Sequence, residues 1–268
     1  MTSSQVDYQI VGAIGSPYSR KLRAVLRYRR IAHVWIHQGT PEAEGLPKPR
    51  VALLPQLVVR RDDGEREALV DSTPLIRLLE ARFPDLRSVV PPDPALAFLD
   101  GLVEDYADEW LTKAMFHYRW AYPADIAKAS RILPRWAGSQ QPDEALEKAG
   151  RSFARRQIER LAVVGSNPST KATIERSFLR LIDLLERHLR DQRFLFGRRP
   201  AVSDFALFGQ LTQLALFDPT PMAIVLERAP RVFAHSDWVD DLSGLEPTPA
   251  DWLARKALSE PFRMLLGE

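Results

Sequence analysis

The stretch Tyr8–Gln38, YQIVGAIGSPYSRKLRAVLRYRRIAHVWIHQ, decides how the chain begins to fold. Tyr8–Ile14 is a continuous apolar and β-branched run, the pattern of a buried strand. Gly15, Ser16 and Pro17 interrupt it. The following RKLRAVLRYRR places Leu22, Val25 and Leu26 on one helical face with arginines opposite. Ala32–Gln38, AHVWIHQ, is a second strand. Strand, helix and strand in this order make a βαβ unit, and the crossover helix implies parallel pairing. Ser16 stands where the first strand feeds the helix, and two readings fit it. It caps the helix, with Pro17 in the first turn, or its hydroxyl sits where a ligand's negative charge meets a helix N-terminus.

Outward from this unit, PEAEGLPKPR (Pro41–Arg50) reads as a loop. Gln56–Arg60 and a strand ending at Val70 form a hairpin around a turn at Asp62, Asp63 and Gly64. STPLIRLLEARF is a helix capped by Ser72 or Thr73, with Pro74 near its first turn. The order is thus β-α-β, loop, β-β-α. FPDLRSVVPPDP, with four prolines and no periodicity, is a linker. Beyond Pro94 every pattern is helical. A single long amphipathic helix follows, with Leu96, Leu99, Val103, Tyr106 and Trp110 along one face. Further helices are expected at Pro142–Leu161, Ser169–Asp191, Asp204–Phe217, Pro221–Arg228, Pro230–Asp241 and Trp252–Leu266. The domains expected are 6–86, a linker 87–94, and an all-helical 95–268.

Composition narrows the chemistry. The chain has 268 residues, 45% hydrophobic and 27% charged, the balance of a soluble globular protein. Its 37 Lys and Arg against 35 Asp and Glu give no global charge that argues for nucleic acid or acidic lipid. No apolar run has the length of a membrane span, and no secretory leader pattern opens the chain, so a cytoplasmic location is expected. Cysteine is absent, which removes disulfides, thiolate metal sites and a cysteine nucleophile. Thiol chemistry here needs a thiol brought by a ligand.

Three short motifs, with the order of elements, resemble the glutathione transferase superfamily over nearly the whole chain, in particular its serine-type, bacterial-like cytosolic members. The implied fold is α/β plus all-α: a thioredoxin-like βαβαββα domain followed by a helical domain. In SPYSRK, Ser16 matches the family residue that contacts the glutathione sulfur. A hydroxyl at a helix N-terminus suits that role, because both favour a thiolate over a thiol whose unperturbed pKa is about 8.5. In LLPQLV, Pro55 resembles the family's cis-proline, and Leu54 is then the residue that pairs its main chain with the cysteinyl backbone. In VDSTPLI, Asp71 and Ser72 match the pair that holds the γ-glutamyl end, the acid taking the amine and the serine with the helix end taking the carboxylate. The segment Phe194–Leu211 resembles the family's buried capping box, except that Ala201 replaces the Ser or Thr three positions before Asp204. Many relatives also carry a Gly-Lys pair before the proline, where this chain has Ala52 and Leu53. Lys48, Arg50 or His37 are the residues that could replace that lysine's charge. The region Tyr122–Thr170 is long for the family.

Other chemistries find little support. The spacing around VGAIGS is not a dinucleotide fingerprint. The five histidines show no metal-ligand spacing, so no metal is expected. Asp100, Glu104, Asp105, Asp108 and Glu109 read as a solvated acidic face, and Arg23, Arg27 and Arg30 as solvated too. Among Tyr106, Trp110, Phe116, Tyr118 and Trp120 most are core; Tyr106 and Trp110 are the substrate-pocket candidates. The resemblance implies a cytoplasmic, homodimeric detoxification enzyme that joins glutathione, as co-substrate, to a small apolar electrophile, with no nucleic-acid or membrane partner. Two alternatives stand beside it: a non-catalytic glutathione transferase-like binding or interaction protein, and a glutathione-dependent reductase.

Overall fold

The computed structural model describes residues 7–267 except Asp62 and Leu86, so Asp62 of the expected hairpin turn lies outside the described residues. Four strands, β1 (Gln9–Gly12), β2 (Val34–His37), β3 (Gln56–Arg60) and β4 (Arg66–Val70), form one sheet in the order β2-β1-β3-β4. β1 and β2 run parallel, in register Gln9 to Val34, whereas β3 is antiparallel to both β1 and β4. The parallel pair is joined by α1 (Pro17–Tyr28), and α3 (Ser72–Arg82) packs beside α1. Ile10 and Leu57 from the sheet, Leu22 and Leu26 from α1 and Leu75 and Leu79 from α3 close their core. The segment expected as a loop after β2 contains a four-residue helix, α2 (Pro41–Glu44), with Pro41 at its first position. This is the thioredoxin-like βαβαββα order.

The remaining chain is helical: α4 (Pro94–Asp105), a π-helical turn (Tyr106–Leu111), α5 (Thr112–Ala121), α6 (Pro123–Ala137), α7 (Asp143–Glu159), α8 (Lys171–His188), α9 (Val202–Leu214), α10 (Pro219–Arg228), α11 (Pro230–Trp238) and α12 (Glu260–Leu266). The single long helix expected from the sequence is thus divided by the π turn, and α6 was not expected. The helix expected over Trp252–Leu266 is confined to α12. Before it, main-chain bonds from Arg198 N–H to Asp251 O (3.0 Å) and from Leu253 N–H to Phe196 O (2.9 Å) hold the chain against the turn at Phe196. Among the described residues no helix is long and apolar enough to cross a membrane.

All of α9 is buried, and it is the element on which the two domains meet. A Cβ on Gly209 would lie 2.6 Å from the Pro17 carbonyl oxygen, so only glycine lets α9 approach α1 this closely. Ala201 has no side chain to cap α9. Asp204 accepts from Ala201 N–H (2.8 Å) and Leu195 N–H (2.9 Å), and the missing cap comes from another helix: Asp100 of α4 accepts from Ser203 N–H at 2.8 Å. The arginines of α1 are not free in solvent. Arg20, Arg23 and Arg27 all bond the Asp240 carboxylate, at 2.9, 3.1 and 2.8 Å, tying α1 to the segment after α11.

Candidate functional site

The βαβ unit delivers Ser16 to the N-terminus of α1. Its extended backbone ends the strand exit, and its Oγ accepts from Ser19 N–H at 3.3 Å, a helix cap. That bond leaves the hydroxyl hydrogen available to a further acceptor. Pro17 occupies the first turn, and Tyr18 reaches across to donate to the Asp108 carbonyl oxygen in the π turn at 2.8 Å. Burial pushes the Tyr18 phenol's pKa up, so it stays a donor.

Two cavities meet at Leu54. The first, about 440 Å³, is lined by Ser16, His37, Leu54, Phe116, Trp120 and Trp136, among others. The second, about 620 Å³, is lined by Leu54, Asp71, Ser72, Thr73, Arg77 and Glu104, among others. The Leu54–Pro55 peptide is cis, and the Leu54 main chain forms no hydrogen bond among the described residues. At the far end Asp71, not Ser72 or Thr73, caps α3: its Oδ1 accepts from Thr73 N–H at 3.2 Å. Asp71 holds φ at +75°, a conformation that costs a non-glycine residue about 1–3 kcal/mol and marks functional sites. Ser16 and Leu54 therefore line the first cavity and Leu54, Asp71 and Ser72 the second, with Ser16 and Ser72 at helix N-termini; Pro55 lines neither and acts through the cis peptide that presents Leu54.

Of the acidic stretch expected to be solvated, Asp105 and Glu109 are exposed, but Asp100, Glu104 and Asp108 are buried. Glu104 and Asp108, which line the second cavity, both accept from the Lys21 ammonium at 2.6 Å. Thr73 Oγ1 donates to Glu104 at 2.7 Å, which joins α1, α3 and α4 at one point. Burial raises the Asp108 pKa, and Lys21 opposes that rise. The carboxylates face Lys21 because a lysine buried on the apolar face of α1 needs charged partners within hydrogen-bond reach.

Around the first cavity the helical domain supplies the walls. Gly15 lies under α6: a Cβ there would fall 2.7 Å from Leu133 and 3.1 Å from Trp136. Trp136 packs on Phe217 with ring centroids 5.0 Å apart. Behind the Ser16 loop, Arg119 of α5 donates to the Gly15 carbonyl at 3.2 Å, and Gln213 of α9 donates to the Ile14 carbonyl at 3.1 Å. The substrate-pocket candidates Tyr106 and Trp110 do not join this cavity. They line a separate cavity of about 940 Å³ with Leu102, Ser177 and Leu265. Phe116 and Trp120 occupy the wall beside Ser16 instead. Of the three candidates for the absent lysine, His37 lines the first cavity, whereas Lys48 donates to the Ala43 carbonyl at 3.2 Å and Arg50 lines neither cavity.

Two family models match the chain, the glutathione S-transferase N-terminal domain over residues 10–87 and the glutathione S-transferase C-terminal domain over residues 143–237. The chain belongs to the glutathione S-transferase superfamily. Solved glutathione S-transferase structures carry the same fold. A Tau class enzyme from mango, Mangifera indica, is 16% identical, with a TM-score of 0.52 and coverage of 98% of this chain and 100% of that one. A glutathione S-transferase from Methylobacterium radiotolerans in complex with glutathione sulfonate is 20% identical, with a TM-score of 0.50 and coverage of 91% and 93%. A glutathione transferase family member from Pseudomonas fluorescens with two glutathione bound is 13% identical, with a TM-score of 0.50 and coverage of 88% and 89%. No curated protein matches the chain in sequence.

Proposed function

We propose that this glutathione S-transferase superfamily member is a glutathione-dependent transferase acting on a small apolar electrophile. The observation that carries the reading is the open main chain of Leu54 at the junction of both cavities, between the Ser16 hydroxyl and the Asp71–Ser72 pair. An extended tripeptide laid antiparallel on Leu54 directs its cysteinyl sulfur to Ser16 and its γ-glutamyl end to the α3 N-terminus. There Ser72 and the helix end receive the carboxylate, and Asp71 receives the ammonium.

The thiol proton leaves to solvent, and the Ser16 O–H with the α1 N-terminus holds the thiolate. The sulfur then bonds to an electrophilic carbon as the carbon's leaving group departs with its electron pair. The chain supplies charge stabilisation and proximity. Phe116, Trp120, Trp136 and Leu133 offer the electrophile an apolar wall, which is why the reading favours an uncharged ring-bearing substrate. The enzyme works as a homodimer in this reading: Phe98 and Leu102, 70% and 46% exposed, leave an apolar row on α4 that a second copy would cover, and sedimentation at the monomer mass would speak against it.

Calorimetry with glutathione and turnover of a chlorinated nitroaromatic test the function. Ser16→Ala is expected to lower kcat/KM by about 10- to 100-fold, the worth of one hydrogen bond to a charged group. Unchanged turnover would remove Ser16 from the mechanism. A second reading, a binding protein without turnover, draws on the engagement of Lys48 with Ala43, which holds that lysine away from the glycyl end of the cavity. Heat from glutathione without turnover of any electrophile would favour it.

A further inference from the structure

A buried ion pair stands directly behind the Ser16 loop. Arg119 is 3% exposed and Asp218 fully buried. Arg119 Nε and Nη2 grip both Asp218 oxygens at 2.8–3.1 Å, and Nη2 also donates to Gln213 at 2.6 Å. Its remaining Nη1 donates to the Gly15 carbonyl, the peptide that leads into Ser16, while Gln213 holds the preceding carbonyl of Ile14. The pair has a direction. Arg119 lines the cavity beside Ser16 and Asp218 does not, so the positive end of the pair faces the cleft and the negative end faces the interior.

We propose that Arg119 is a positioning residue for the thiolate: paired with Asp218 and Gln213, it fixes the Ile14–Ser16 backbone and turns a preorganised positive end toward the place where the sulfur's charge sits. This rests on the glutathione reading above. A fixed dipole inside a water-poor cleft acts on a nearby charge more strongly than the same groups in solvent, and it needs no reorganisation when the charge forms. A salt bridge needed for packing alone would not have to turn its Nη1 toward the peptide before Ser16. The other ionisable side chain along this cavity, among the described residues, is His37, and Asp125 and Lys128 act on Asp218 from α6 in opposite senses.

The test is the pH titration of the bound glutathione thiol, read by thiolate ultraviolet absorbance in the full-length protein, with binding measured by calorimetry. Arg119→Met alone strands a buried carboxylate and costs stability in its own right. The double variant Arg119→Met/Asp218→Asn removes both charges at nearly constant volume and carries the comparison. It is expected to bind glutathione and to titrate about one pH unit above the parent. Asp218→Asn alone leaves the Arg119 charge uncompensated and is expected to shift the titration downward, an opposite sign that general loosening of the fold does not produce. Titration at the parent's pH in both variants, or an upward shift in both, overturns the proposal. If the parent itself neither binds glutathione nor depresses its thiol titration, the glutathione reading falls and takes this proposal with it. If the parent does both and the variants match it, the proposal falls alone.

Discussion

Replacing Lys21 by Met would remove the buried cation from a three-helix junction and leave Glu104 and Asp108 facing each other. Both carboxylates lie 2.6 Å from the Lys21 ammonium, and the lysine side chain is 1% exposed. Breaking a buried pair by deleting one partner costs about 3–5 kcal/mol, because the survivor's charge stays desolvated. Here two survivors repel with only the exposed Arg77 left beside Glu104, so the folded state escapes by taking up a proton, and the Asp108 carboxyl, already raised by burial, rises further once Lys21 no longer opposes it. For a carboxyl raised in the folded state, stability is greatest below the unfolded pKa and is lost as pH rises through the folded one. The penalty of Lys21→Met should therefore be larger at pH 8, where it should approach about 3–5 kcal/mol, than at pH 5. Guanidinium unfolding of parent and variant at both pH values reads it. A penalty equal at pH 5 and pH 8, or below about 1 kcal/mol at pH 8, would refute the burial and pairing argued for this junction.

Three further outcomes are expected. Burial raises the Asp100 carboxyl to about 7, so the folded chain holds a proton the unfolded chain has released, and stability falls as pH rises from about 4 to 7. Asp100→Asn keeps an oxygen for Ser203 N–H, should flatten that slope, and should exceed the parent at pH 8 by up to about 4 kcal/mol; denaturant midpoints at pH 5 and 8 check it. Gly209→Ala gains about 1 kcal/mol of helix propensity but meets the Pro17 carbonyl, so a net loss of about 1–3 kcal/mol in thermal unfolding is expected, and a net gain would contradict the close approach of α1 and α9. Trp136→Ala should raise KM for an aromatic electrophile about 10-fold and leave glutathione affinity within about 2-fold, measured by steady-state kinetics and calorimetry.

The βαβ unit, the hairpin and α3 were legible because periodicity, glycine and proline mark them locally. Ser16, Leu54, Pro55, Asp71 and Ser72 were named through the family resemblance, since local chemistry alone reads Ser16 and the Asp71–Ser72 segment as helix caps and Pro55 as an edge-strand proline. The structure lines the two cavities that share Leu54 with Ser16 on one side and Asp71 and Ser72 on the other. The illegible features depended on helices meeting. Glu104 and Asp108 look like any acidic face until Lys21, four residues before Val25 on the buried stripe of α1, is seen to need them; that misplaced lysine was the available signal. Tyr106 and Trp110 keep company with Val103 as the periodicity implied, but the cavity they line together is a different one from that beside Ser16, which only the packing of α5 and α6 reveals. Arg119 carried no local sign, since its partners come from two distant segments, Gly15 before α1 and Gln213 and Asp218 at the end of α9 and just after it. The absent α9 cap announced a vacancy at Ala201, yet only the packing of α4 identifies Asp100 as its replacement.

The proposed function stands on glutathione lying along Leu54 with its sulfur at Ser16. A crystal structure of the protein soaked with millimolar glutathione tests that placement most directly. The sulfur is expected within about 3.5 Å of Ser16 Oγ, the cysteinyl backbone paired with the Leu54 main chain, and the γ-glutamyl carboxylate at Ser72. Both cavities unoccupied at that concentration, or glutathione bound with its sulfur turned away from Ser16, would contradict it.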